Sequence, residues 1–237
     1  MTDPNASRRD FLIKIAAVSA GTGAGLAACG GGWDAVFDYG VASGDPLAAA
    51  VVLWTHAKPS DGSSSAVQLT WEVASDADFK TLVASGQVTA DAATGHTAKV
   101  DAQGLTAGTE YWYCFRHGTT RSPVGRTRTL PGAAAAEVKL AVLSCSNYPA
   151  GRFHAYADAA TRGAQFAIHL GDYIYEYAAN GYASAQAAAM GRSSIPTQEV
   201  LTLDDYRRRH AQYKSDPDLR ALHARMPMIA VWDDHET

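Results

Sequence analysis

Apolar and polar positions divide the chain into two regimes. From residue 33 to about 130, short alternating or β-rich runs recur at 51–55, 67–73, 87–89, 96–101 and 110–116. Turn-forming stretches separate them at 43–46, 60–62, 84–86 and 107–108. Regular short strands with such punctuation predict a β-sandwich. Beyond residue 138 the runs are mostly apolar rather than alternating, which suits buried strands. They cover 138–145, 166–170 and 227–232. Between the first two, residues 151–163 are Ala-rich and close on Gly163, which predicts a helix. A strand, a helix and a strand over this distance make a βαβ unit with parallel strands. A capping-box pattern at 202–205 predicts a further helix through Tyr213. Asp216 before Pro217 predicts another, running to about Arg225. The Pro-Gly-Ala-rich stretch 131–137 is the expected linker.

The three apolar runs end alike. The first ends on Ser144-Cys145, the second on Gly171-Asp172 with Tyr175 and Glu176 just beyond, and the third on Asp233-Asp234-His235-Glu236. Ligands of open α/β sheets bind outside the carboxyl ends of the strands. Any one of these endings is equally well a packed turn. Three together predict one shared site. A carboxylate and a phenol side by side suit a hard, highly charged metal ion, and one carboxylate can bridge two ions.

Composition narrows the classes. The chain has 237 residues, 47% of them hydrophobic, which is enough for one or two domains. A net charge of −4 and the lack of a basic run with interleaved aromatics argue against a nucleic-acid surface. Three cysteines in three unlike contexts are not a disulfide framework. Cys114 alternates with Trp112 and reads as a small buried residue. His169, inside a predicted strand, reads as a packed core histidine. Arg192, in the long polar segment after Glu176, reads as exposed, with contact to an anionic substrate as the alternative. Asn147 and Tyr148 either line the site or form the turn before Pro149, and Asp233 is a candidate for orienting His235.

Residues 1–32 read as a targeting segment. Arg8-Arg9 followed by Phe11-Leu12 and a weakly apolar Ala/Gly stretch resembles a twin-arginine export signal. Leu26-Ala27-Ala28-Cys29 resembles a lipoprotein cleavage box, with Cys29 as the lipid-bearing residue. These predict export by the twin-arginine machinery and a periplasmic or cell-envelope location. A membrane anchor at Cys29 is expected, or a soluble mature protein after plain cleavage.

The motifs at 41–46 and 52–55, the Tyr111-Trp112-Tyr113 strand, Ser144-Cys145, Gly171-Asp-Tyr-Ile-Tyr-Glu176 and Trp232-Asp-Asp-His-Glu236 together resemble the PhoD-like alkaline phosphatases. That family belongs to the calcineurin-like metallophosphatase superfamily. The resemblance spans nearly the whole chain. It implies an all-β fibronectin III/Ig-like sandwich at 33–130, a linker at 131–137, and the first half of a layered α/β/β/α metallophosphatase domain at 138–237. It implies hydrolysis of phosphomonoesters or phosphodiesters at a site holding Fe3+ and Ca2+, with Mn2+ or Zn2+ as the alternative pair. Carried over by position, Asp172 bridges the metals, Cys145 and Tyr175 bind the iron, Asp234 binds the second metal, and His235 stands beside the leaving group. The family's remaining histidine and carboxylate ligands lie further along than Thr237. The chain is therefore expected to be an N-terminal portion that binds metal weakly and hydrolyses little by itself. The competing expectation is a lipid-anchored binding module with a non-functional phosphatase half.

Overall fold

The computed structural model describes residues 33–133 and 135–236. The expected targeting segment, with Arg8, Arg9 and Cys29, lies outside the described residues.

Strands dominate. They are β1 (Ala35–Val36), β2 (Val41–Gly44), β3 (Ala50–His56), β4 (Lys58–Pro59), β5 (Val67–Ala74), β6 (Leu82–Ala90), β7 (Thr97–Gln103), β8 (Glu110–His117), β9 (Thr120–Arg121) and β10 (Gly125–Arg128). Then follow β11 (Leu140–Leu143), α1 (His154–Thr161), β12 (Phe166–His169), α2 (Leu203–Lys214), α3 (Pro217–Arg225) and β13 (Met228–Ala230).

The first ten strands form antiparallel sheets whose inner faces share one core. Val51 and Leu53 of β3 and Ala98 of β7 meet Val67 and Leu69 of β5 and Tyr111, Tyr113 and Phe115 of β8. The Tyr111 hydroxyl accepts from the Thr106 backbone N–H at 2.9 Å, tying the turn to the strand it precedes. Cys114 is fully buried beside Glu72, and burial pushes its thiol up to about 11, so it is packed and inert. Residues 84–86, expected to be a turn, are instead the middle of β6. The Trp71 ring lies over Gly86, where an added Cβ would come within 2.8 Å of it. An aromatic ring covering a glycine keeps the strand continuous despite its weak local propensity.

After residue 138, β11, β12 and β13 pair in parallel, with Leu140 opposite Phe166 and Ala167 opposite Met228. The expected βαβ geometry is present. The helix between β11 and β12 begins at His154 rather than 151, because a 3-10 turn over Tyr148–Ala150 and an extended Gly151 come first. One face of this sheet is covered by α1, α2 and α3 through Phe153, Tyr156, Tyr213, Leu219, Leu222 and Met226. On the other face Leu140 and Val142 are 49% and 58% exposed. The capping box of Thr202 and Asp205 starts α2. Asp216, with Pro217 behind it, caps α3 by accepting from Asp218 and Leu219 N–H.

Strand pairing crosses the 131–137 stretch. β13 pairs with β2 at Met228–Gly44, so one six-stranded sheet runs β11-β12-β13-β2-β3-β7. Gly44 makes the seam possible: a Cβ there would sit 2.8 Å from the Met228 carbonyl oxygen. Nothing in the local pattern at 41–46 announces this partner, since the pairing joins residues far apart in sequence.

Candidate metal centre

The carboxyl ends of β11, β12 and β13 converge. Cys145 follows β11 with φ of 59°, and Asp172 follows β12 with φ of 54°, both in the left-handed region that non-glycine residues rarely adopt. Such strain collects where a side chain must be aimed. The two loops are laced together: Cys145 N–H donates to the Gly171 carbonyl at 3.2 Å and Ser146 N–H to that of Asp172 at 2.9 Å. The Ser146 hydroxyl donates to the Tyr173 carbonyl at 2.9 Å. Gly171, at φ of 108°, lets the third loop approach, because an added Cβ would come within 2.4 Å of the Asp233 Cβ. Glu236 closes the ring by accepting from the N–H groups of Tyr173 and Asp233.

Asp172 is the focus. It is 7% exposed. Its Oδ2 accepts from the Tyr175 hydroxyl at 3.0 Å and the Cys145 thiol at 3.5 Å. Its Oδ1 is buried with no hydrogen-bond partner. A buried carboxylate oxygen without a donor is costly unless something else meets it. Ligand atoms of Asp172, Asp234 and His235 lie within 4.8 Å of one another. Donors around one ion, with bonds of about 2.0–2.6 Å, are separated by at most roughly 5 Å. Together with the oxygen-rich donor set, the orphaned Oδ1 means that these residues fit a bound cation. The Tyr175 hydroxyl is pushed up by burial, and further by the Asp172 carboxylate that holds its proton. Only a neighbouring cation would make it a phenolate near neutral pH.

His235 Nδ1 sits 2.9 Å from Glu176 Oε2, and its ring lies 4.2 Å from the Tyr175 ring. Burial opposes its charged form, but the hydrogen bond to Glu176 and the charges of Glu176, Asp172 and Asp234 win, and its pKa is raised. Asp233 does not orient this ring: its Oδ1 accepts from Asp234 N–H, and Glu176 takes the part expected of it. Arg192 is buried rather than exposed. It pairs with Asp216 at 2.6 Å, donates to the Tyr148 carbonyl and stacks 3.6 Å above the Tyr148 ring, pinning the long loop to the core. Tyr148 is thus a core residue, whereas Asn147 lines a cavity of about 300 Å³ beside Cys145, its carboxamide unpartnered. His169 is fully buried and bonded to the Tyr156 hydroxyl at 2.8 Å, as expected.

Sequence reasoning missed Arg209. It is 1% exposed and donates to the carbonyls of Tyr175, Tyr177, Ile195 and Pro196, clamping the Asp172–Tyr175 turn against the loop that follows. Its only sequence signal is a place in an Arg-Arg-Arg run whose members separate: Arg207 bonds the Ala93 carbonyl, Arg208 faces Asp204, and Arg209 points inward.

Carboxylates, a phenol, a thiol and an imidazole meet at the carboxyl edge of a parallel sheet in an α/β fold, a donor set that fits a cation. The PhoD-like phosphatase family model matches residues 140–237, and the model of that family's N-terminal domain matches residues 31–131. The chain belongs to the PhoD-like phosphatase family. It is 43% identical over 207 residues to alkaline phosphatase D of Bacillus subtilis (strain 168), covering 84% of this chain and 35% of that protein. A solved structure described as PhoD superposes with a TM-score of 0.76 at 42% identity, over 84% of this chain and 39% of that one. The chain thus spans little more than a third of the length of these relatives.

Proposed function

We propose that the protein is an exported, metal-dependent phosphoesterase acting on phosphomonoesters, phosphodiesters or both. The observation that carries this is the meeting of the Cys145 thiol and the Tyr175 hydroxyl on one oxygen of Asp172, with Asp234 and His235 within ligand reach of the same carboxylate. Asp172 would lie between two ions, Cys145 and Tyr175 would hold the first, and Asp234 the second. Fe3+ and Ca2+ suit a phenolate and a carboxylate-rich neighbour; Mn2+ or Zn2+ is the alternative pair. Once bound, such ions acidify a water molecule and neutralise phosphoryl oxygens.

The chain's own residues do the rest. Glu176 fixes His235 through Nδ1, which leaves Nε2 to hold a proton for the departing alkoxide oxygen. Arg209 and Ser146 keep the Asp172–Tyr175 turn rigid, so the donors need little reorganisation. In this reading residues 33–130 form the fibronectin III-like sandwich and 138–237 the metallophosphatase half. Arg8-Arg9 and Cys29 support delivery by the twin-arginine machinery and a lipid anchor at the membrane. The intact donor set supports the enzyme over a non-functional binding module.

The test is metal analysis with visible absorption, together with hydrolysis of p-nitrophenyl phosphate and its bis ester by the metal-reconstituted protein. A phenolate–iron band lost in Tyr175→Phe, and metal lost in Asp172→Asn, are expected. Metal uptake and visible absorption left unchanged by both Asp172→Asn and Tyr175→Phe would refute the assignment.

A further inference from the structure

A second pocket lies at the opposite edge of the parallel sheet. It is a cavity of about 220 Å³ where β8 and β10 meet the segments that lead into β12 and β13. The metal centre stands beyond the carboxyl ends of those strands, and this cavity beyond their amino ends. Arg126 and Arg128 alternate along β10 and so share a face. Arg225, at the end of α3, completes a set of three guanidinium groups lining one cavity.

The arginines are set in place by the fold. Arg126 Nε donates to the Arg225 carbonyl at 3.1 Å, and Arg128 Nη2 donates to the Gly108 carbonyl at 2.7 Å. Each bond uses one of five N–H donors and leaves the others available. Charge is unbalanced. Glu110 is the one carboxylate among the lining residues, and it pairs with Arg126 at 2.9 Å. Among the described residues no carboxylate pairs with Arg128 or Arg225. Burial, and then the nearby charges of Arg225 and Arg128, pull the Arg126 pKa down against the effect of Glu110. Like charges held together in a partly desolvated space are unfavourable unless a counter-charge joins them.

We propose that this cavity is a binding site for a tetrahedral phosphate oxyanion, separate from the metal centre. Planar guanidinium forks match phosphate oxygens in pairs. The oxyanion is either free inorganic phosphate or the terminal group of a small phosphate ester. Its occupant would join the β8–β10 sheet to α3 and the parallel strands. Binding would therefore raise the unfolding temperature, whether or not the metal centre is active.

The experiment is calorimetric titration of the full chain with inorganic phosphate at low salt, carried out in the Asp172→Asn background so that the metal centre does not contribute. One phosphate per chain is expected, with affinity falling at least tenfold in Arg128→Ala and in Arg225→Gln. Arg225 makes no side-chain hydrogen bond among the described residues, so Arg225→Gln keeps the test valid if Arg128→Ala folds poorly. At phosphate about tenfold above its dissociation constant, the unfolding midpoint should rise by roughly 3–6 °C. Displacement by glycerol phosphate assigns the site to an ester terminus, and failure to displace assigns it to the free ion; either supports an oxyanion site. Binding that vanishes with Asp172→Asn alone, or that is unchanged in both arginine variants, would overturn the proposal.

Discussion

Replacing Arg209 tests whether the metal-centre turn is held from behind. Arg209→Met keeps a long side chain and removes the guanidinium fork. Its donors serve the Tyr175, Tyr177, Ile195 and Pro196 carbonyls, at 3.0 to 3.1 Å for the last three, from a side chain that is 1% exposed. A hydrogen bond from a charged donor contributes about 1.5–3 kcal/mol, and a buried carbonyl left bare costs about 1–3 kcal/mol. Two effects offset part of that sum. The bonds to the Ile195 and Tyr177 carbonyls are only part-buried, so water can replace some of what is lost there, and burial already penalises the arginine charge, which methionine relieves. A net loss of about 3 kcal/mol is expected. For a chain of this size that is roughly 6–12 °C in the unfolding midpoint. Urea titration by circular dichroism reads the loss. Arg209→Lys, which keeps the charge but not the fork, should fall between wild type and Arg209→Met. Metal content should drop in both variants, because the Tyr175 backbone is no longer fixed. A loss below about 1 kcal/mol with unchanged metal uptake would show that the turn holds itself.

Gly171→Ala places a Cβ 2.4 Å from that of Asp233 at a positive φ, so the two loops must part. Stability should fall by about 1–3 kcal/mol and metal uptake with it, as measured by melting and elemental analysis. Mild acid should weaken the fold through buried histidines. Burial, with Lys214 and Lys99 nearby, lowers His210 to about 4, and burial lowers His56 to about 4 as well. Both bind protons more readily when unfolded, so their contribution is complete above the unfolded value of about 6.5 and is lost as pH falls from there towards 4. Urea midpoints should decline over that window, and less steeply in His210→Gln; a flat profile would contradict this. Cys29→Ser should abolish incorporation of labelled fatty acid in vivo and release the protein from membranes, whereas unchanged labelling would remove Cys29 as the anchor.

The sequence determined which ligand-type residues stand at strand ends. Apolar runs, each ended by a ligand-type residue, placed Cys145, Asp172, Tyr175, Asp234 and His235 at strand ends, and parallel pairing of those strands brings them to one edge. Hydrophobic period and capping are local properties, so β5, β8, α2 and α3 were legible from their own residues. Tertiary structure decided what depends on a distant partner. Gly44 looks like part of a turn until Met228 pairs with it. Arg209 is one of three adjacent arginines until the loop carbonyls surround it, and Arg192 looks solvent-bound until Asp216 and Tyr148 enclose it. Glu176, not Asp233, holds His235, because a carboxylate's role is set by which ring comes within reach in space. Periodicity records how a residue relates to its neighbours in the chain. Ion pairing, backbone capping by side chains and close backbone approach depend on residues brought together only by folding.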